Sequence, residues 1–409
     1  MGATAVVMTD PSSILATSTR ALDGNQFPDG GVPITAIERE SSMLASYALF
    51  SRDTKGRRHP EPEHPYRGPF QRDRDRVLHS SAFRRLSGKM QVFTGDMGEY
   101  HRTRLTHTFE VASIARTIAR VLRLNEDLVE ALALMHDLGH PPYGHCGEDV
   151  LHACLQGEGG FSHNQFALTI VEQLEQRFGA FAGLNLSLEV LAGQEVRADK
   201  AGAAQGPSPS LEVQIVDAAD SIAYDAHDFD DAVQMGLLHL EQLKRLEIVQ
   251  RALDRVKEKY GVLSSGRLRQ AVVHELIDLQ VSDFVVRARE QLIPHLAHRS
   301  DQLSHAGVRL SHSAGLAAER YELERFLFEH VYRHPRLLTV RRLAESRLEH
   351  LFQNLCDAPQ RLPLRFRQRA DQVGVRRATG EYLAGMTDRF CDTQFELLTR
   401  GDGPLGDWS

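Results

Sequence analysis

The chain has 409 residues, with 48 Lys+Arg against 55 Asp+Glu, a formal charge of −7, and 42% apolar and 25% charged residues. That make-up suits a globular protein with enough material for one large core or two smaller ones. Its mild acidity excludes a chain built mainly to coat nucleic acid, though a local basic patch stays open. No apolar run approaches the roughly 20 residues needed to span a bilayer. Met1 to Asp10 lacks the order of a secretory signal, and four cysteines without a CxxC pair fit a reducing cytoplasm, the expected location.

Residues 1 to about 33 are rich in Ser, Thr, Gly and Asp without sustained period, so they read as a loose leader. A short helix is predicted over Ile34–Phe50. Pro60, Pro62, Pro65 and Pro69 make Ser51–Arg76 an extended connector. Helical periodicity then dominates, over Val77–Val92 and over Thr106–Leu124 with Phe109, Ala112, Ala119 and Leu122. Asn125 is a good N-cap, and Glu126 and Asp127 suit the positive first turn of a helix running through Met135. Gly139 reads as its C′ residue, with Pro141-Pro142 preventing continuation.

Further helices are expected at Asn164–Phe178, Leu211–Gly236, Leu240–Tyr260, Ser265–Ile293, Leu316–Arg333, Val340–Cys356 and Thr379–Thr399. Gly193–Ser210 reads as a surface loop. No strand alternation is long enough for a sheet, so the expected fold is all-α. The expected organisation is a leader and connector over 1–60, a helical core over 61–236, and a C-terminal helical region over 237–409.

Histidine is the compositional outlier, with twenty in the chain. The richest segment is Met135-His136-Asp137-Leu138-Gly139-His140-Pro141-Pro142-Tyr143-Gly144-His145. A helix C-terminus favours a cation, so His136 alone has a macrodipole explanation; Asp137 there does not, unless a cation neutralises it. His107, opening an amphipathic helix, and Asp220, in the apolar stretch Val213–Ala223, complete two nitrogens and two oxygens without sulfur. That donor set suits a divalent metal and leaves positions for water and substrate. Asp217, one turn before Asp220, is an alternative ligand. His140 and His163 are open as phosphate contacts, second-metal ligands or ordinary polar residues, and Arg84, Arg85, Lys89 and Arg102 as phosphate contacts or solvated surface.

The order His107, His136-Asp137, Asp220 resembles the H…HD…D signature of the HD-domain metal phosphohydrolases. The longer runs Arg72–Phe93, Gly139–Glu148, Asp220…Tyr224…Asp228 and Glu381–Phe390 resemble the bacterial deoxyguanosine-triphosphate triphosphohydrolases, from about Phe70 to Phe390. The resemblance implies that His107, His136, Asp137 and Asp220 hold a divalent metal ion (Mn, Mg, Co, Ni, Fe or Zn), with His145 and Glu148 as a catalytic pair. It implies Gln91 and Val92 near base and sugar, Arg104 near the phosphates, and Tyr224 and Asp228 near the deoxyribose. The implied reaction turns a deoxynucleoside triphosphate into deoxynucleoside and inorganic triphosphate, in a homo-oligomer. Asp220, Tyr224 and Asp228 recur every four residues and so share one helix face, each about 6 Å further along.

Two departures stand against the family pattern: the Gly193–Ser210 composition, and Glu381 where an Asp precedes the Tyr. Two other readings are kept. One is a different HD phosphohydrolase, a nucleotidase or phosphodiesterase. The other is a nucleotide- or DNA-sensing regulator with little turnover, suggested by Arg52, Lys55, Arg57 and Arg58; single-stranded DNA is left open as a partner.

Overall fold

The computed structural model describes residues 35–91, 102–199, 202, 206–401 and 405–408; Val92 and the expected leader lie outside them. Among the described residues every regular element is a helix, as expected, with isolated β-bridges only. None of these helices is long and apolar enough to cross a membrane.

Three helices build the centre. The first, Arg104–Val121, is capped by Thr103 and buries Val111, Ala115 and Ile118 along one face. The second, Glu126–Met135, starts at Asn125, whose Oδ1 accepts from Leu128 N at 3.3 Å, as its sequence predicts. The third, Leu211–Gln234, buries Ile215, Ala219, Ile222, Ala226 and Phe229, at the three- and four-residue steps of a core-facing helix. The 104–121 helix packs on both of the others, and the 211–234 helix also packs on Ser265–Leu292. A large apolar cluster draws on residues from Tyr47 to Leu405, and a smaller one on residues from Phe229 to Val331.

Several boundaries differ from the sequence reading. The connector ends early, because Pro69 opens a helix over Pro69–Leu78. Proline is tolerated at that first position, where its missing N–H had no partner to lose. The expected Val77–Val92 helix breaks at His79, and Ser80 caps a new short helix, Ser81–Arg85. Leu240–Tyr260 divides into Leu240–Leu243 and Glu247–Tyr260, and Thr379–Thr399 into Val375–Ala384 and Asp388–Arg400. The two expected helices from Asn164 and Leu316 each end in a π-turn, over Ile170–Leu174 and Phe328–Tyr332.

Two glycines were misread. Gly139 is not a left-handed helix stop; a Cβ there would meet the His163 carbonyl oxygen at 2.0 Å, so its role is close backbone approach. The left-handed turn falls instead on Tyr143 (φ 63°) and Gly144 (φ 60°), which launch the helix Gly144–Cys154. Gly193 does not mark a loop either. It lies in the helix Leu188–Ala198, where a Cβ would meet Leu132 Cδ2 at 2.5 Å, so its absence lets that helix press on 126–135.

Candidate active site

The start of 104–121, the end of 126–135 and the middle of 211–234 meet at one cleft of about 790 Å³, lined among others by His107, Asp137, His140, His163 and Asp220. His107 Nε2 is 3.1 Å from Asp220 Oδ1. His136 Nε2 is 3.6 Å from the same oxygen and 3.5 Å from Asp137 Oδ1. The four expected ligands therefore meet through contacts of Asp220 with both histidines and of His136 with Asp137, from three helices or their caps; donor atoms of His107, His136 and Asp137 lie within 4.8 Å of one another. Asp217 does not join them: its Oδ1 pairs with Arg197 Nη2 at 2.7 Å and its side chain is half exposed.

The ring polarity of His136 decides what this cluster holds. Its Nδ1 lies 2.6 Å from the Ala133 carbonyl oxygen, which only accepts, so Nδ1 carries the proton and Nε2 a lone pair. Nε2 is buried without a hydrogen-bond partner. Burial holds His136 below its usual pKa and therefore neutral. Burial alone would raise Asp137 and Asp220. Neighbouring imidazoles and guanidiniums, Arg104 for Asp137 and Arg197 for Asp220, hold both below the ordinary carboxylate range. A buried, unpartnered imidazole lone pair facing two carboxylates is the environment a cation requires. The donor set thus fits a divalent metal; two nitrogens and two oxygens do not select its identity.

Beside this centre, His145 Nδ1 lies 3.3 Å from Glu148 Oε2, joining the expected pair. Glu148 is held more firmly by His163, whose backbone N–H and Nδ1 approach Oε1 at 2.9 and 2.8 Å. Burial raises the Glu148 carboxyl, but the hydrogen bonds from His145 and His163 override it and hold it well below the usual range. His140 stacks on His163 with centroids 3.8 Å apart, and its Nε2 is 3.3 Å from Asp137 Oδ1. Donor atoms of Asp137, His140 and His163, and again of His140, His145 and Glu148, lie within 4.8 Å of one another.

Away from the centre the cleft follows the 211–234 helix past Tyr224 and Asp228. Tyr332 donates to Asp228 Oδ2 and its hydroxyl also meets that of Tyr224, a chain of three side chains. Asp228 Oδ1 is buried and unpartnered. Burial pushes Asp228 up to about 8, with Asp231 and Asp225 adding to the effect. Gln91 also lines the cleft, with a buried, unpartnered Oε1. Arg104 is fully buried and donates from Nη1 to Asp137 Oδ2 at 2.8 Å, which orients that carboxylate.

The four other cations weighed as phosphate contacts do not line the cleft. Lys89 is buried and donates to the His140 and Ala384 carbonyls. Arg85 lies on Trp408, Arg84 caps the His79 carbonyl, and Arg102 pairs with Glu110, Asp230 and Asp231. In the basic connector, Arg57 is buried against Asp73, and Arg58 pairs with Glu172. The Glu381–Phe390 stretch is scaffolding: Glu381 takes both Arg369 Nε and Nη2, at 2.8 and 3.0 Å, and Asp388 accepts from the Tyr143 and Met90 backbones.

Among the cleft residues that sequence reasoning missed are Arg197 and Tyr332. Arg197 bridges Asp217 and Asp220, but it sits in the segment read as a loop; the apolar Val190, Leu191 and Val196 were the available helical signal. Tyr332 carries no local signal, because a π-turn over 100 residues downstream of Asp228 brings it in.

Comparison with known proteins agrees with this geometry. The HD domain profile matches residues 104–225, and a phosphohydrolase-associated domain profile matches residues 310–396. A deoxyguanosinetriphosphate triphosphohydrolase-like protein of Geobacter sulfurreducens is 40% identical over 368 residues, 88% of this chain and 96% of that protein. Proteins of the same name in Bordetella pertussis and Nitrosomonas europaea are 41% and 40% identical, over 87% of this chain and 96% and 98% of theirs. The chain belongs to the deoxyguanosinetriphosphate triphosphohydrolase-like family. As an HD phosphohydrolase of that family it carries His/Asp groups that fit a divalent metal site.

Proposed function

We propose that the protein hydrolyses a deoxynucleoside triphosphate of the dGTP type to the deoxynucleoside and inorganic triphosphate. The observation that carries this reading is the convergence of His107 Nε2, His136 Nε2, Asp137 Oδ1 and Asp220 Oδ1 beside a cleft large enough for a nucleotide. The family name of its relatives supports the substrate class. These four groups would hold a divalent cation, which when bound would supply charge to offset the phosphates and Lewis acidity at phosphorus.

The chain's own residues supply the rest. Arg104 and Arg197 bring positive charge to the phosphate end while fixing Asp137 and Asp220. Glu148 orients His145, whose exposed ring stands at the cleft to take a proton from water or give one to the departing 5′-oxygen. Two turns beyond Asp220, the free Oδ1 of Asp228 offers a partner to the sugar 3′-hydroxyl. The Tyr224 ring fills space a 2′-hydroxyl needs, and the free Oε1 of Gln91 faces the base. The metal ligands come from the 61–236 stretch, and 237–409 completes the pocket through Tyr332.

Incubating the protein with each deoxynucleotide and Mn or Mg tests this. Inorganic triphosphate and deoxynucleoside are the expected products; monophosphate with pyrophosphate, or no turnover, overturns the reading. The closeness of His140, His163 and Asp137 favours one second reading, an HD phosphohydrolase with two metals per chain. Metal stoichiometry separates the two.

A further inference from the structure

His107 differs from His136 in what stands behind it. His136 is aimed by a backbone carbonyl, whereas His107 Nδ1 lies 3.2 Å from Nδ1 of His227, a ring only 2% exposed. On its other side His227 Nε2 contacts the Glu110 carboxylate, which Arg102 Nε approaches at 3.2 Å. Sequence reading singled out neither His227 nor Glu110 as functional. The three groups therefore form a line from a buried imidazole at the metal centre to a carboxylate that opens on a separate outer cavity of about 400 Å³.

Proton counting along the line leaves one neutral arrangement. A carboxylate only accepts, so the His227 nitrogen facing Glu110 carries its proton, and its Nδ1 is a lone pair. That lone pair takes the proton of His107 Nδ1, which leaves His107 Nε2 as a lone pair aimed at Asp220 Oδ1, 3.1 Å away. Without the line, the competing tautomer is available, in which His107 Nε2–H donates to Asp220 and cannot bind a cation. Partners of this kind behind a ligating histidine fix its tautomer and its ring orientation.

We propose that His227 and Glu110 are positioning residues that fix the metal-binding tautomer of His107. The inference rests on the metal-centre reading above. Glu110 is the residue to vary, because its side chain is 45% exposed and tolerates change, whereas His227 is packed. Glu110→Gln keeps an oxygen facing both His227 and Arg102; Glu110→Met has similar length and the same charge as the Gln variant, but no acceptor.

Mn²⁺ affinity is measured on the full chain by competition with a chelating dye, for the wild type, His107→Ala and both Glu110 variants. The expected result is a loss of about 10- to 100-fold for Glu110→Met, the range for such partners, with Glu110→Gln within about threefold of the wild type on the same principle. At saturating Mn²⁺, Glu110→Met recovers wild-type KM for substrate. Equal affinity in the wild type and Glu110→Met overturns the proposal. So does an equal loss in both variants, which points to charge or packing instead. If the wild type does not bind Mn²⁺, or His107→Ala binds it as tightly, the metal-centre reading itself fails.

Discussion

Asp228→Asn separates two views of the far end of the cleft. Asp228 is buried, accepts one hydrogen bond from Tyr332, and is pushed by burial from an ordinary 3.8 to about 8. The unfolded chain ionises this group above pH 3.8 while the fold keeps it protonated, so the folded state binds more protons through that window. Stability contributed by the neutral acid is therefore full below 3.8 and lost as pH rises through about 8. At about 1.4 kcal/mol per unit, the shift sets an upper bound of about 6 kcal/mol on that loss. Local relaxation and water entry leave about 2–3 kcal/mol as a realistic value.

Asparagine copies the neutral acid in shape and hydrogen bonding but cannot ionise. Melting temperatures of the wild type and Asp228→Asn, scanned from pH 4 to pH 8.5, should start close together and diverge, with the variant higher at the alkaline end. Near pH 7 the variant should also keep most of its substrate affinity, while Asp228→Ala loses it. A pH-independent difference, or a less stable Asn variant at pH 8.5, refutes the claim that this carboxyl is held neutral.

Other outcomes follow from the same geometry. Arg197→Ala leaves Asp217 and Asp220 without their shared cation; metal-free protein should lose about 1–3 kcal/mol, and added Mn²⁺ should raise its melting temperature more than the wild type's. Lys89→Met abandons the His140 and Ala384 carbonyls in the core; a loss of about 2–4 kcal/mol with unchanged Mn²⁺ affinity is expected, and a large drop in affinity would contradict it. Gly139→Ala forces a Cβ to within 2.0 Å of the His163 carbonyl oxygen and should cost about 3 kcal/mol or more. Gly157→Ala, with nothing within 4 Å, should be silent in the same melting assay.

What the sequence made legible was set by local rules. The 104–121, 126–135 and 211–234 helices carry regular apolar faces, and one begins at a capping side chain read from the sequence, Asn125. Because the residues read as ligands lie on these helices or at their ends, their meeting at one cleft followed from the same patterns. The helix 144–154 has no cap signal in the sequence, since Tyr143 starts it by a left-handed turn without a side-chain cap. Gly193 hid the 188–198 helix, and Arg197 with it, because a glycine chosen for tight packing looks the same as one chosen for a turn. Tyr332 and the His227–Glu110 contact depend on tertiary placement that no periodicity encodes.

The cation site itself is tested most directly by Mn²⁺ binding in Asp220→Ala and Asp217→Ala, one turn apart on the same helix. The geometry predicts that Asp220→Ala abolishes tight binding while Asp217→Ala retains it, since only Asp220 reaches both histidines. Tight binding that survives Asp220→Ala, or is lost in Asp217→Ala alone, would contradict the four-ligand centre.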